Sequence, residues 1–447
     1  MNTKLFKYTF IILSIMCCIM LGSTSIIFAI SEFKTAEAAP QIPAATSTAE
    51  QSSAANTPSA LTDAVSPSTA STTTTSGSGI TSDPDTTDSI VTPVEPKTVP
   101  TPASITISAV GDIMAHQSNL NNAYNPQTGK YDFSGFLEYV KPILSKSDLT
   151  IGNFETVTAG PKSGYTSYPS FNTPDEILTA LSQAGFDILS TANNHCLDRG
   201  ISGLTRTIQN INKNKMINIG SSTNGKNKYV IKEINGIKLG ILAYSGLYNG
   251  ADKKLTQAQR DTYLSTLDEK QIQKDIKEAK AAKADAIIIV VHWGNEYQRE
   301  PSSDQTALAK KMLTWGADII LGSHPHVIQK SEIVKIDGKD KFIIYSMGNF
   351  ISGYRRVDKA NRPNKVYTED GVIVNLKIEK TAEQGTIIKS VDYIPTWVDK
   401  YYVKNRPVFK VIPIPEPQIK GSYVTSYNKQ FIVQSYKNTM GIMAKMK

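Results

Sequence analysis

Residues 286–291 read Ala-Ile-Ile-Ile-Val-Val and run directly into His292. A short, mostly β-branched run with no polar face fits a strand that is covered on both sides. Strands of that kind belong to parallel sheets, which need helices both as crossovers and as cover. The chain between 104 and 378 supplies the helices. Apolar residues recur at helical spacing over 133–145, 174–184, 202–213, 269–282 and 303–315, with Pro174 suited to a first helical turn. Strand patterns fall at 104–110, 149–155, 186–191, 216–219, 229–234, 238–244, 318–321, 342–345 and 372–378, and Asn235-Gly236 signals a hairpin between two of them. Strands alternating with helices predict an α/β fold, and open α/β sheets place their sites at the strand ends.

The polar residues cluster where those strands stop. The chain has five histidines, His116, His195, His292, His324 and His326, and each lies within a few residues of an apolar run. Asp112, Asn153, Glu155, Asn194, Glu296 and Asn349 occupy equivalent positions. Taken singly, each motif has an ordinary explanation. Asp112 suits a turn, Glu155 a surface, Asn194 a cap, and Asp198 and Gly200 the turn after His195. His292 could be a satisfied histidine beneath Trp293. Jointly, Asp, Glu, Asn and several His make a mixed oxygen and nitrogen set sized for two divalent metals. Two such ions about 3.5–4 Å apart, bridged by a carboxylate, generate hydroxide at neutral pH and clamp both oxygens of a displacement. Glu155 is the bridging candidate, and Cys196 reads as packing. Serine-hydrolase and phosphate-loop readings fail because neither Gly-x-Ser-x-Gly nor Gly-Lys-Ser/Thr occurs.

The motifs Gly111-Asp112, Gly152-Asn-Phe-Glu155, Ala192-Asn-Asn-His-Cys-Leu-Asp198, Val291-His-Trp-Gly-Asn-Glu-Tyr297, Gly322-Ser-His-Pro-His326 and Ser346-Met-Gly-Asn-Phe350 together resemble the CapA-type capsule (poly-γ-glutamate) synthesis family. That family is similar to calcineurin-like metallophosphoesterases. The resemblance implies a metallophosphoesterase-like sandwich of β-sheets flanked by helices. It implies that Asp112 and His326 bind one metal, that Asn194, His292 and His324 bind the other, and that Glu155 lies between. His195 would be a general acid outside both ligand shells. His116, Asn153, Glu296 and Asn349 are further candidates for metal or substrate contact. His116 departs from the metallophosphoesterase pattern, Asp-x-His, by standing four residues after Asp112. The implied cofactors are two divalent ions, Mn, Zn or Fe.

Outside this region the chain changes character. Lys4 and Lys7 precede an uncharged run at 8–31, long enough to span a bilayer with the rest of the chain outside. A cleaved signal peptide, with secretion to the cell wall, is the alternative. Residues 32–103 are rich in Ser, Thr, Ala and Pro and cannot bury enough surface to order themselves. The expected organisation is therefore an anchor or signal peptide at 1–31, a linker at 32–103, the folded domain at 104–400 and a basic extension at 401–447. The linker is acidic, so the net charge of +8 sits on the folded part, and that balance suits an acidic partner. The expected partners are an anionic polymer of the poly-γ-glutamate type, a membrane-bound synthesis complex and the membrane itself through the N-terminal helix, with no nucleic acid. Two further readings use the same residues: a free-standing cell-surface hydrolase, and a binding or scaffold module whose site has decayed.

Overall fold

A computed structural model describes residues 102–446 apart from 227, 358–362 and 417–419. The expected membrane segment at 1–31 and all but the last residues of the linker lie outside the described residues. Among the described residues no helix is long and apolar enough to cross a membrane.

Two mixed sheets stack face to face. The first runs, edge to edge, Arg406–Pro413, Gly385–Val403, Asp370–Thr381, Ala103–Ile113, Leu149–Phe154, Ile188–Ser190 and Ile217–Ile219, and Asn349–Ile351 joins the end of Ala103–Ile113. Its last four strands are parallel, whereas Asp370–Thr381, Gly385–Val403 and Arg406–Pro413 form an antiparallel meander, the first of them antiparallel to Ala103–Ile113. The second sheet runs Ser331–Ile336, Lys339–Ile344, Ile319–Ser323, Ala286–His292, Ile237–Ser245 and Val230–Ile234, parallel through its middle. Asn235 and Gly236 turn the hairpin at its edge with φ of 47° and 78°.

Strand parity explains the layering. Ile288 and Val290 join Ile105, Ile107, Ile241 and Leu321 in the buried cluster between the sheets. Their neighbours Ile287, Ile289 and Val291 face outward, onto helices Glu269–Ala281 and Ser303–Trp315 through Ile276 and Leu313. On the other side, Glu176–Ala184 covers the first sheet through Ile177 and Leu181. At about 1.5–3 kcal/mol for each fully buried aliphatic side chain, the inter-sheet layer stabilises the fold and fixes the two sheets' strand ends against each other. Local signals set the helix limits. Ser302 and Gln305 form a capping box at the start of Ser303–Trp315, and left-handed Gly316 ends it.

Two segments differ from the sequence expectation. The helix expected over 133–145 is a 3-10 turn, Ser134–Phe136, followed by a single turn, Lys141–Leu144. Pro142 lacks an N–H and fits only a first turn, so it restarts the helix instead of continuing it. Beyond 378 the sheet continues: Gly385–Val403 runs across residue 400, Arg406–Pro413 pairs with it, and helix Lys429–Met440 packs on this part of the sheet through Ile432 against Trp397 and Ile412. The basic segment after 400 is built into the fold. Lys410, for example, pairs with Glu138 at 2.5 Å.

Candidate metal centre

The strand ends of both sheets meet at one rim. Asp112 ends Ala103–Ile113, Glu155 follows Leu149–Phe154, Asn193 to His195 follow Ile188–Ser190, His292 ends Ala286–His292, and His324 and His326 follow Ile319–Ser323. Two glycines allow the approach. A Cβ on Gly111 would lie 1.9 Å from the carbonyl oxygen of Gly348, and one on Gly322 would lie 2.0 Å from that of Tyr345. With no side chain there, the Asp112 N–H donates to Gly348 O at 2.9 Å. His324 and His326 have φ of 97° and 56°, a left-handed backbone that costs a non-glycine residue about 1–3 kcal/mol. Such a cost persists at places where the surrounding structure holds it for a purpose.

Glu155 is the centre of the arrangement. Its Oε1 lies 3.8 Å from His292 Nε2 and 3.7 Å from His326 Nε2. Two groups of potential ligand atoms share it, Glu155 with His292 and His324, and Glu155 with Asp112 and His326, each with its atoms within 4.8 Å of one another. Asn194 Oδ1 is 3.1 Å from His292 Nε2 and joins the first group. Neither Glu155 oxygen has a hydrogen-bond donor among the described residues, and His324 Nδ1 has no partner there either.

Surrounding groups orient these side chains. His326 Nδ1 lies 3.0 Å from Asp112 Oδ2 and 3.2 Å from Asn349 Oδ1. Asn349 is fixed in turn, because its Nδ2 donates to the carbonyls of His326 and Thr368. Ser323 Oγ and Asn153 Nδ2 each lie 3.2 Å from His292 Nδ1 and hold the ring so that Nε2 faces Asn194 and Glu155. Asn153 Nδ2 donates to Asp112 Oδ1 at 2.8 Å, and Asn193 Nδ2 donates to Asn153 Oδ1 at 3.3 Å and to Phe154 O at 2.9 Å.

The electrostatics follow from burial. Desolvation, then the Asp112 carboxylate, push Glu155 well above the usual carboxylate range. Desolvation, then the neighbouring imidazoles, hold His292 far below its ordinary value. His324 is pushed down to about 4, first by burial and then by His326. Neutral imidazoles are the form that ligates a cation, and a cation beside Glu155 would offset the burial that raises it by favouring the carboxylate.

The structure thus brings together Asp112, Asn153, Glu155, Asn194, His292, His324, His326 and Asn349. His195 stands apart from both ligand groups, with Nδ1 2.8 Å from Asp198 Oδ2. Glu296 is also outside them, although its charge bears on Glu155 and His324. His116 enters neither group. Its Nδ1 accepts the Gly353 N–H at 3.0 Å, and burial pushes it down to about 3. Cys196 packs with Leu197, Leu204 and Tyr248. Asp198 reads as a turn residue in the sequence, and Asn193 and Ser323 occur there only inside motifs, with no role of their own. Only the His195-x-x-Asp198 spacing hinted at one of them. The rings of Phe171, Tyr297 and Tyr354 line the same region; Tyr297 closes one of the motifs, and Phe171 and Tyr354 gave no signal at all.

The family described as bacterial capsule synthesis protein PGA_cap matches residues 106–354. The capsule biosynthesis protein CapA of Bacillus anthracis is 34% identical over 303 residues, covering 65% of this chain and 67% of that one. The PGA biosynthesis protein CapA of Bacillus subtilis is 27% identical over 316 residues, covering 68% and 77%. Among solved structures, Haemophilus influenzae NAD nucleotidase has 13% identity and a TM-score of 0.41, covering 77% of this chain and 57% of that one. The calcineurin-like phosphoesterase YfkN from Bacillus subtilis has 18% identity and a TM-score of 0.40, covering 76% and 99%.

Proposed function

Because the chain belongs to the bacterial capsule synthesis protein family, we propose that it acts in the synthesis or export of an anionic capsule polymer of the poly-γ-glutamate type. In this reading its N-terminal segment holds it at the outer face of the cell membrane, and the rim around Glu155 is a two-metal centre. The observation that carries the metal reading is the Glu155 carboxylate, buried with both oxygens undonated and faced by two imidazole nitrogens. An uncompensated buried carboxylate costs several kcal/mol, and a divalent cation on each side removes that cost. Asp112 and His326 would hold one ion, Asn194, His292 and His324 the other, and Glu155 would reach both. The mixed oxygen and nitrogen donor set fits Mn, Zn or Fe. Ions held there supply Lewis acidity to a phosphoryl or carbonyl oxygen and activate water.

The chain's own residues supply the rest. Asn153 and Asn349 orient Asp112 and His326 through the hydrogen bonds described above. Asp198 holds Nδ1 of His195, which leaves Nε2 as the atom that gives or takes a proton, the role of a general acid. A positioned acid beside an intact ligand set supports catalysis over a decayed binding module. Deletion of the gene in its own host, with surface polymer as the readout, tests the reading. Lost polymer that returns with the wild-type chain but not with Glu155→Ala supports it, whereas polymer unchanged by the deletion overturns it. The hydrolase reading is tested by turnover of a generic phosphodiester or monoester with added Mn or Zn.

A further inference from the structure

A wall of rings runs from His195 to His326, one of the proposed metal ligands. The His195 ring meets Phe171 edge-on at 4.7 Å, Phe171 meets His116 at 5.4 Å, His116 meets Tyr354 at 4.6 Å, and Tyr354 meets His326 at 5.4 Å. Three groups on this wall are hydrogen-bond donors, and one of them is buried with no partner among the described residues. The Gly353 N–H can only donate, so the Nδ1 of His116 that receives it is an acceptor and the ring proton sits on Nε2. That Nε2–H is buried and has no acceptor among the described residues. Gly353 is what brings the backbone this close, since a Cβ there would lie 2.5 Å from His116 Cβ. Tyr354 Oη accepts from Tyr297 Oη at 3.0 Å, so its own proton points elsewhere. Lys365 Nζ sits 5.2 Å from the ring centroid of Tyr297 and 5.6 Å from that of Tyr354. The nearby carboxylates Glu369 and Asp370 pair with Arg355 and Arg356 instead.

We propose that His116 Nε2–H, Tyr354 Oη–H and Lys365 Nζ form an oxyanion-recognition wall next to the metal centre, so that the site takes a substrate carrying a second anionic group beside the reacting one. The inference rests on the metal-centre reading for its location and names the substrate class of that site. Three donors fit carboxylate or phosphate oxygens, and charge-assisted bonds such as that from Lys365 are the strong ones. The spacing of His116 also gains a reason. Four residues after Asp112, the imidazole misses the metal groups and reaches the wall.

The test is calorimetric binding to the full-length protein, with metal content measured on the same samples. The probes are inorganic phosphate and tri-γ-glutamate, which separate a phosphate source from a carboxylate source. The variants are Lys365→Met, Tyr354→Phe and His116→Gln. Lys365 is part-exposed, so its replacement keeps the fold even if a ring-wall variant does not. The expected result is metal content equal to wild type with affinity for at least one probe reduced about tenfold or more in each variant. Wild-type affinity for both probes in Lys365→Met and Tyr354→Phe, with metal retained, overturns the inference. Binding that depends on Lys365 in a protein that holds no metal keeps the wall and removes the metal reading instead.

Discussion

Oδ2 of Asp198 lies 2.8 Å from Nδ1 of His195 and 2.6 Å from the backbone nitrogen of Phe171. One carboxylate oxygen thus fixes both a polar ring and the start of the strip that carries Phe171 against it. Asp198→Asn is expected to lower turnover of a generic phosphodiester about 10²–10⁴-fold, the range for a positioned acid or base. Metal content should not change. Turnover equal to wild type would show that Asp198 only closes its turn.

Gly111 and Gly322 admit no side chain, because a Cβ would meet a backbone oxygen at about 2 Å in each place. Gly111→Ala should therefore destabilise the protein by about 1–3 kcal/mol or more, as overpacking does, and should displace Asp112. A thermal melt together with metal analysis checks both effects. A variant with unchanged melting temperature would contradict the packing described here.

Cys196 is a buried thiol pushed up to about 12, chiefly by desolvation. Thiol reagents at pH 8 should leave it unmodified in the folded protein and react with it after denaturation. Cys196→Ala should retain metal. Peptide mass spectrometry after timed alkylation reads the first point, and rapid native labelling would contradict it.

Asp275 accepts from Tyr244 Oη at 2.8 Å and from Gln271 Nε2 at 2.6 Å, yet burial still raises it above its ordinary 3.8. The unfolded chain then loses this proton at lower pH than the folded one. The contribution to stability is accordingly greatest below 3.8 and declines as pH rises toward the raised folded value. Asp275→Asn keeps an acceptor for Gln271, and its amide can donate to Tyr244. Its stability relative to wild type should improve as pH is raised from about 3 toward neutrality. Denaturant melts across that range check the sign, and a pH-independent difference would refute it.

Residues with a single structural meaning were legible from the sequence. The apolar run before His292 has no polar face, so its burial on both sides followed from its residues, whereas the second sheet over one of those sides was implied only by the family resemblance. The strand ends could be read because Gly, Asn and Asp stop strands in recognisable ways. Gly385–Val403 was harder to see. It alternates apolar residues with Lys389, Asp392 and Lys400 and contains Pro395, which argues against a paired strand. The structure accommodates Pro395 one residue past the last pairing with Arg406–Pro413, which ends at Thr396 opposite Pro413. Asp198 was read as a turn residue because a carboxylate that accepts from a turn and one that orients an imidazole look alike until distances are known. The ring wall was invisible for a similar reason. His116, Phe171 and Tyr354 come from three separate segments and meet only in the folded chain.

The central claim is that Glu155 joins two metal sites. Inductively coupled plasma mass spectrometry on the purified full-length protein, beside Glu155→Ala and His324→Ala, tests it most directly. About two equivalents of a divalent metal in the wild type, falling in both variants, is the predicted result. A wild-type protein that takes up no divalent metal, or a Glu155→Ala protein that keeps the full complement, would contradict it.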